Sequence, residues 1–479
     1  VKSEHLNIGL INIVPDEDSP PMNLVALGSY LKKTGINVRI IDSTYERGAF
    51  SRQVNDLDLI GISSMTPSYS KAIKLAKQLR KSYDKPIIIG GPHISLIPES
   101  FSANFTAGVI GEGEEVLSGL CSILKESGTL PVSQLSEIPG LAYRYNETIK
   151  INEQGRQIQS LDNLPFPEFS FLNRRYFRKR WIDWSGKVGA SMHISTSRGC
   201  PYHCIFCSGQ RLWQKVRFQS AERIISEVNE LVTKYSVDHI VIDDDLFLSN
   251  KRRLEELSEI LGRAGLSGKV AILCSARSNL IDEDMCRILK SIGVRALNFG
   301  FESGSEKILK YLKGENVTVN QNMTAIELCR KYGFEVSGNL ILGSPGETID
   351  DMMETIDFMD FAIRHGCYKV GVFVLTPLPG TPVWKLAIEK KLVGENMDWD
   401  MLSFYDYKDP MFLGPDINKE DFETLFQAAR KNSYRGWLRN RWWKMLMNDY
   451  RRVIRKVVEN PGRAGVMLRS ILMNKGNRI

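Results

Sequence analysis

Residues 6 to about 126 alternate short, almost continuously apolar runs with longer amphipathic stretches. LNIGLINIV, INVRIID, LDLIGISS, KPIIIGG and AGVIGEGEE are separated by NLVALGSYLKKTG, YSKAIKLAKQLRKSY and EVLSGLCSILKESG. Strands that are apolar throughout must be covered on both faces, and helices between them give right-handed crossovers, so the expected fold is a doubly wound, Rossmann-like parallel sheet. Sheets of this kind bind ligands beyond the carboxyl ends of their strands. Those ends carry Pro15 and Asp16, Asp42, Ser63, Ser64, Met65 and Thr66, Gly90, Gly91 and His93, and Gly111, Glu112 and Gly113. The glycines of GGPH and GEGE either bring backbone close to a ligand or only turn the chain; several at one edge point to a large flat ligand.

The rhythm breaks between 130 and 190. GLAYRYNETIKINEQGR reads as a hairpin, and LDNLPFPEFSFLNRRYF as a linker rich in proline and aromatic residues. From about 190 a second βα series runs to about 385, six units rather than the eight of a full barrel, with its chemistry expected at the carboxyl ends of the strands. The organisation is therefore a parallel-sheet domain (1–135), a hairpin and linker (136–189), a partial (βα)6 barrel (190–390) and a helical, basic C-terminal extension (391–479).

Directly after the first barrel strand stands RGCPYHCIFC, with Cys200, Cys204 and Cys207 in a C-x3-C-x2-C array. Three thiolates on a short loop hold three corners of a cubane iron–sulfur cluster, whose usual complement is four cysteines. A missing fourth ligand leaves one iron open to a reactant. A structural zinc completed by His203 or His193, and three unliganded thiols, are the duller alternatives. The other five cysteines are scattered through apolar segments, which suits a reduced, intracellular protein.

This spacing, after the first strand of a partial βα barrel, resembles that of the radical S-adenosylmethionine (SAM) enzymes. The resemblance covers about residues 190 to 390. It implies a [4Fe–4S] cluster on Cys200, Cys204 and Cys207, with SAM chelating the open iron and cleaved reductively to a 5′-deoxyadenosyl radical. It also implies SAM contacts from Phe206, from Asp244 or Asp245 in DDDLF, from Glu302 and Ser303 in GFESGS, from Gly343 and Glu347 in LILGSPGE, and from Pro377 in LTPLPGTP. The N-terminal domain resembles the cobalamin (B12)-binding module that precedes many such barrels, through LIGISSMTPSY, IIIGGPHISLIPE and GVIGEGEE. The D-x-H-x-x-G loop that supplies a histidine to cobalt is missing after the first strand, so cobalamin without a protein imidazole is implied. His93 is the one histidine at that edge, as a cobalamin contact or as part of a turn.

The +7 net charge is localised: in residues 430–479 fourteen Lys and Arg residues face only Asp449 and Glu459, so this tail carries +12 and the rest of the chain −5. Leu438, Trp442, Met445, Leu446, Val453 and Val457 recur there at roughly helical spacing. Such a helix fits an anionic membrane surface, the reading preferred here, or else the flank of the barrel; no other part of the chain adds the basic groove that nucleic acid requires. The N-terminus lacks a signal-peptide pattern and no stretch is apolar enough to span a bilayer, so a cytoplasmic chain, peripheral to the membrane at most, is expected. The function expected from the resemblance is modification of an unactivated carbon of a small-molecule or lipid-like substrate, by methylation foremost, with a reducing partner such as flavodoxin or ferredoxin. Cyclisation, oxidation or ring contraction, as in the anaerobic porphyrin ester cyclases and hopanoid enzymes, is the alternative. A methylthiotransferase would carry a second cysteine trio in the N-terminal domain, which has only Cys121. A non-catalytic iron–sulfur or corrinoid sensor would leave the acidic strand ends without a ligand.

Overall fold

The computed structural model describes residues 6–14, 16–46, 53–266, 268–394, 397–403, 411–414, 417–448 and 450. Pro15, Val453 and Val457 lie outside them, as do the side chains of Trp442, Met445 and Leu446.

Five parallel strands form the first sheet: β1 (Asn7–Asn12), β2 (Asn37–Asp42), β3 (Leu59–Ser63), β4 (Ile87–Gly90) and β5 (Ala107–Val109). A hairpin of β6 (Leu141–Tyr145) and β7 (Thr148–Ile151) joins β5 antiparallel and extends the order to 2-1-3-4-5-6-7. Because side chains alternate across a strand, the apolar runs feed two cores at once. Leu59 and Ile88 pack to one side, Ile60, Ile62, Ile87 and Ile89 to the other. The order reverses between β1 and β3, and the carboxyl ends on either side of that switch point are where a crevice opens.

The linker is built into the core. Phe169, Leu172 and Tyr176 are buried in the apolar cluster that runs from Leu24 and Val25 through to the barrel strands. Tyr176 donates its hydroxyl to Asp42 Oδ2 at 2.6 Å, tying the linker to the end of β2. A small hairpin follows, β8 (Arg180–Ile182) with β9 (Lys187–Gly189).

The second sheet is wholly parallel and sequential: β10 (Ser191–Ile194), β13 (His239–Ile242), β14 (Ala271–Ala276), β15 (Val294–Glu302), β16 (Glu335–Leu342) and β17 (Lys369–Val374). Between β10 and β13 a two-residue ladder, β11 (Ser197–Arg198) with β12 (Arg217–Phe218), is set apart from the sheet. These are the six units expected of a partial barrel. The helices start where side chains satisfy their free N–H groups: Asp282 accepts from Met285 at 2.6 Å, and Thr348 and Asp351 cap each other's N–H.

The C-terminal helix Lys419–Asn448 packs on β17 and on helix Ile349–Arg364. Ser433 donates to the carbonyl of Val370, which covers part of the open edge of the half-barrel. Leu438, expected on a membrane-facing stripe, is instead 3% exposed. Arg441 is also buried, paired with Glu335 and donating to the Trp184 carbonyl at 3.1 Å. An apolar residue at helical spacing satisfies a protein core as readily as a bilayer, and here the core takes it. Among the described residues no helix is long and apolar enough to cross a membrane. Leu438→Ala should cost about 2–5 kcal/mol of barrel stability, read as a lower urea midpoint for the barrel transition.

Candidate active site

The ladder of β11 and β12 closes a loop over 199–216 that contains all three cysteines. Its base is held by one buried carboxylate. Asp244, at the end of β13, accepts from the Thr196 N–H at 2.5 Å, the Thr196 hydroxyl at 2.6 Å and the Ser197 N–H at 2.9 Å, with the Arg253 guanidinium at 3.6 Å. Asp244 is thus an anchor turned inward, not one of a pair of residues facing a ligand. Asp245 is the exposed member: the Gly199 N–H and the Trp213 indole donate to it. Its Oδ2 and the Cys207 sulfur lie 3.9 and 3.5 Å from where a Gly209 Cβ would stand. Gly199 opens the loop at φ +99°, and a Cβ there would meet the Lys215 carbonyl and Trp213 at 3.2 Å, so the turn into Cys200 admits glycine alone.

None of the three thiols is in a disulfide, and all are at least partly accessible. Burial, and then the neighbouring Asp245 and Cys204, push the Cys200 thiol up, so ligation must displace a proton. The imidazoles considered for a zinc site use Nδ1 elsewhere, His203 with Gln210 at 2.6 Å and His193 with Asp243 at 2.9 Å. Among the described residues no three His, Cys, Asp or Glu side chains converge on a single ion.

Behind Cys204 lies a charged array that the motifs did not mark. Arg277, directly after β14, is buried; its Nη1 donates to Cys204 Sγ at 3.4 Å and its guanidinium lies over the Tyr202 ring at 4.0 Å. Its Nη2 donates to the Lys313 carbonyl at 3.3 Å. Lys313 in turn donates to the Gly300 carbonyl and stands 4.0 Å from Glu302. Glu302 takes φ +67° where β15 breaks register, and its carboxylate folds back over Gly300, in space that a Cβ would fill. Burial pushes its pKa up, against the pull of Lys313 and Arg277. The signal available in the sequence was an arginine immediately after the apolar run AILCSA, the same position that singled out Glu302.

The remaining residues divide. Phe206 and Ile205 pack against Leu312, Ile341 and Leu375 at the barrel mouth. Pro377 is buried in the turn that follows β17. Ser303 is turned away from the mouth: it is fully buried, 2.9 Å from the Thr355 hydroxyl, and accepts from the Ser305 N–H. Glu347 is likewise internal, accepting from the Gly343 and Ser344 N–H groups at 2.5 and 2.9 Å, and burial pushes it up to about 7. Gly343 serves this loop closure and lies under Phe422 of the C-terminal helix.

At the edge of the first sheet, Met65 is 50% exposed and nothing lies within 4 Å of where a Gly111 Cβ would stand, leaving an open, partly apolar margin for a flat ligand. Ser63 there accepts from Asn23 at 3.0 Å, Gly91 packs on Ser64, Gly90 and Gly113 are half-buried, and Asp16 is exposed. Ser64 and Thr66 are buried in internal bonds, Ser64 3.3 Å from Ser68 and Thr66 3.2 Å from His93. His93 is a core residue, not a contact at the edge: its second nitrogen is 3.0 Å from Ser100 and its ring stacks on Tyr69 at 3.8 Å. Glu112 does not face the margin either; its side chain is buried among Arg198, Arg217 and the Ile158 N–H.

Residues 194–359 match the model of the radical SAM superfamily, and residues 8–121 that of the B12 binding domain. The chain is a radical SAM enzyme with a B12-binding domain. An uncharacterized methyltransferase of Pyrococcus horikoshii is 28% identical over 87% of this chain and 88% of its own. An anaerobic magnesium-protoporphyrin IX monomethyl ester cyclase of Rubrivivax gelatinosus is 24% identical over 70% of this chain and 61% of its own. The structure of the cobalamin-dependent S-adenosylmethionine radical enzyme OxsB with aqua-cobalamin bound shares the fold, with a TM-score of 0.66 and 17% identity over 91% of this chain and 72% of that one. The cofactors of this radical SAM enzyme are a [4Fe–4S] cluster, SAM and cobalamin. The three free thiols are the donor type that such a cluster takes, and Met65 and Gly111 leave the edge of the first sheet open.

Removing the charge of Asp244 leaves Arg253 buried without a counter-ion, so Asp244→Asn should lose about 3–5 kcal/mol in urea denaturation and retain less iron, whereas Asp245→Asn should stay within about 0.5 kcal/mol. His93, held down to about 3 by burial, titrates near 6.5 once unfolded. Its contribution is fully present above pH 6.5 and is lost as pH falls toward 3. His93→Gln should flatten that part of the melting temperature against pH.

Proposed function

We propose that this enzyme transfers a methyl group to an unactivated carbon of a small-molecule substrate held between its two domains. The observation that carries the reading is the meeting of two strand-end surfaces. Helix Pro92–Leu96, after β4, packs against helix Gly209–Leu212, at the exit of the cysteine loop. Gly380, after β17, lies against both Leu96 and Arg211. These contacts support a seam shared by the margin at Met65 and Gly111 and the cysteine loop.

Within that seam Cys200, Cys204 and Cys207 would hold three irons, Asp245 would accept from the SAM amino group, and Glu302 would accept from its ribose. Phe206 and Pro377 would form the apolar floor beside it, and Asp16, Ser63, Met65, Gly90, Gly91, Gly111 and Gly113 the corrin margin. When bound, SAM on the cluster supplies a hydrogen-abstracting radical and cobalamin a methyl group. The chain's own part is to orient these groups, to keep water out with Ile341, Leu375 and Phe206, and to balance charge with Arg277 and Lys313. A low-potential electron carrier such as flavodoxin or ferredoxin would supply the electron. Methyl transfer is favoured over cyclisation because a relative named as a methyltransferase is 28% identical along 87% of the chain, against 23–24% along 70–81% for those named as cyclases.

The test is anaerobic reconstitution of wild type and Cys204→Ala, with iron, sulfide and cobalamin assayed, then reductive SAM cleavage. Expected are a cluster and about one cobalamin per wild-type chain, consistent with the single switch point of the first sheet, and 5′-deoxyadenosine from wild type alone. A labelled SAM methyl group should become attached to cobalamin. Cleavage without bound cobalamin would remove the methyl-transfer reading, and zinc in place of iron would overturn the radical one.

A further inference from the structure

We infer that the buried ion cluster of Glu112, Glu114, Arg198 and Arg217 sets the spacing between the corrin margin and the cluster loop, with Arg198 as the positioning residue. The inference rests on the cofactor assignment above and adds to it a part that neither motif contains.

Glu112 follows Gly111, the open residue of the corrin margin, and leads into helix Gly113–Ser127. Its two oxygens are taken from the other domain and from the linker. Arg198 donates to Oε1; Arg217 at 2.8 Å and the Ile158 N–H at 2.7 Å donate to Oε2. Arg198 uses its second arm on Glu114 at 2.6 Å, and Arg217 also donates to the Ile158 carbonyl at 2.6 Å. The Trp213 ring lies 6.0 Å from the guanidinium of Arg198 and 5.6 Å from that of Arg217, and its indole reaches Asp245 at the cluster. Two anions from the first domain thus meet two cations that face each other across the β11–β12 ladder. Arg198 stands two residues before Cys200.

Three facts point to positioning, beyond cohesion. First, the loop base already has its own anchor in Asp244, so Glu112 is not needed to shape it. Secondly, buried ion pairs add little net stability over apolar packing, and their best-attested use is to fix a register. Thirdly, a guanidinium shared between two carboxylates defines both angle and distance, where an apolar seam can slide. Gly111 and Cys200 are each within two residues of this cluster, so a displacement at one margin is felt at the other.

The test is electron paramagnetic resonance on the full holoenzyme, reading the magnetic interaction between cob(II)alamin and the reduced cluster, which falls steeply with separation. Glu112→Gln should keep iron and cobalamin at wild-type content yet lose the single defined interaction in favour of a weaker, broader one. Arg198→Lys, which keeps the charge and loses the fork, should fall between. A wild-type interaction in Glu112→Gln with both cofactors present overturns the inference. If Glu112→Gln retains either cofactor poorly, Glu114→Gln takes its place: it removes one arm of Arg198 and leaves Glu112 and Arg217 paired, and an unaltered interaction there also overturns it. A wild-type chain that binds neither iron nor cobalamin would instead bring down the cofactor assignment itself.

Discussion

A single carboxylate organises the reactive half of this molecule. Asp244 gathers two main-chain N–H groups and a hydroxyl from Thr196 and Ser197. It is surrounded by core, where leaving these donors unpaired would cost each its desolvation energy. Arg253 balances the charge and in turn donates to the Thr196 carbonyl at 3.0 Å. The turn at Gly199, the two-residue ladder and the three thiols all hang from that knot. A loop tied at its base in this way can present soft, reactive sulfur to solvent without collapsing, because its shape is set by bonds below the thiols and not by the thiols themselves.

Charge is concentrated around the loop in layers. Asp245 lies on its open side, and Arg277, Lys313 and Glu302 lie behind Cys204. The two buried cations outnumber the one buried carboxylate in that rear layer, which favours anionic thiolates from behind, while burial and Asp245 on the open side push the Cys200 thiol up. On the side toward the first domain the charges are balanced, two against two, and none is exposed to bulk solvent enough to be screened by salt.

Much of this was legible in the sequence. Continuous apolar runs between amphipathic stretches gave both parallel sheets, and the place of RGCPYHCIFC after a strand located the reactive loop. What pattern could not resolve was orientation. Asp244 and Asp245 are adjacent letters in one motif, yet in the bend beyond β13 one is buried and anchors the loop while the other is exposed and borders its mouth. Ser303 and Glu347 sat in the right motifs and proved to be internal, because the turns that follow barrel strands need buried acceptors of their own. His93 gave no local sign of being enclosed by Tyr69, Thr66 and Ser100. The partnership of Glu112 with Arg198 spans 86 residues, a separation at which no periodicity operates. The hairpin of β6 and β7 was visible as a hairpin, but its attachment to β5 depends on an unpaired sheet edge that only the assembled fold reveals.

The seam also bears on how such chains exchange parts. Both domains are recognisable modules, and each looks separable at the linker. Yet in this ion cluster the first domain supplies the two acids and the second the two bases. A chimera that joined either half to an unmatched neighbour would enclose like charges or solitary ones, at several kcal/mol apiece. The four ionic residues therefore act as a lock between modules: recombination within the lineage would succeed where both halves carry the same complement, and fail where the hydrophobic contacts alone were compatible.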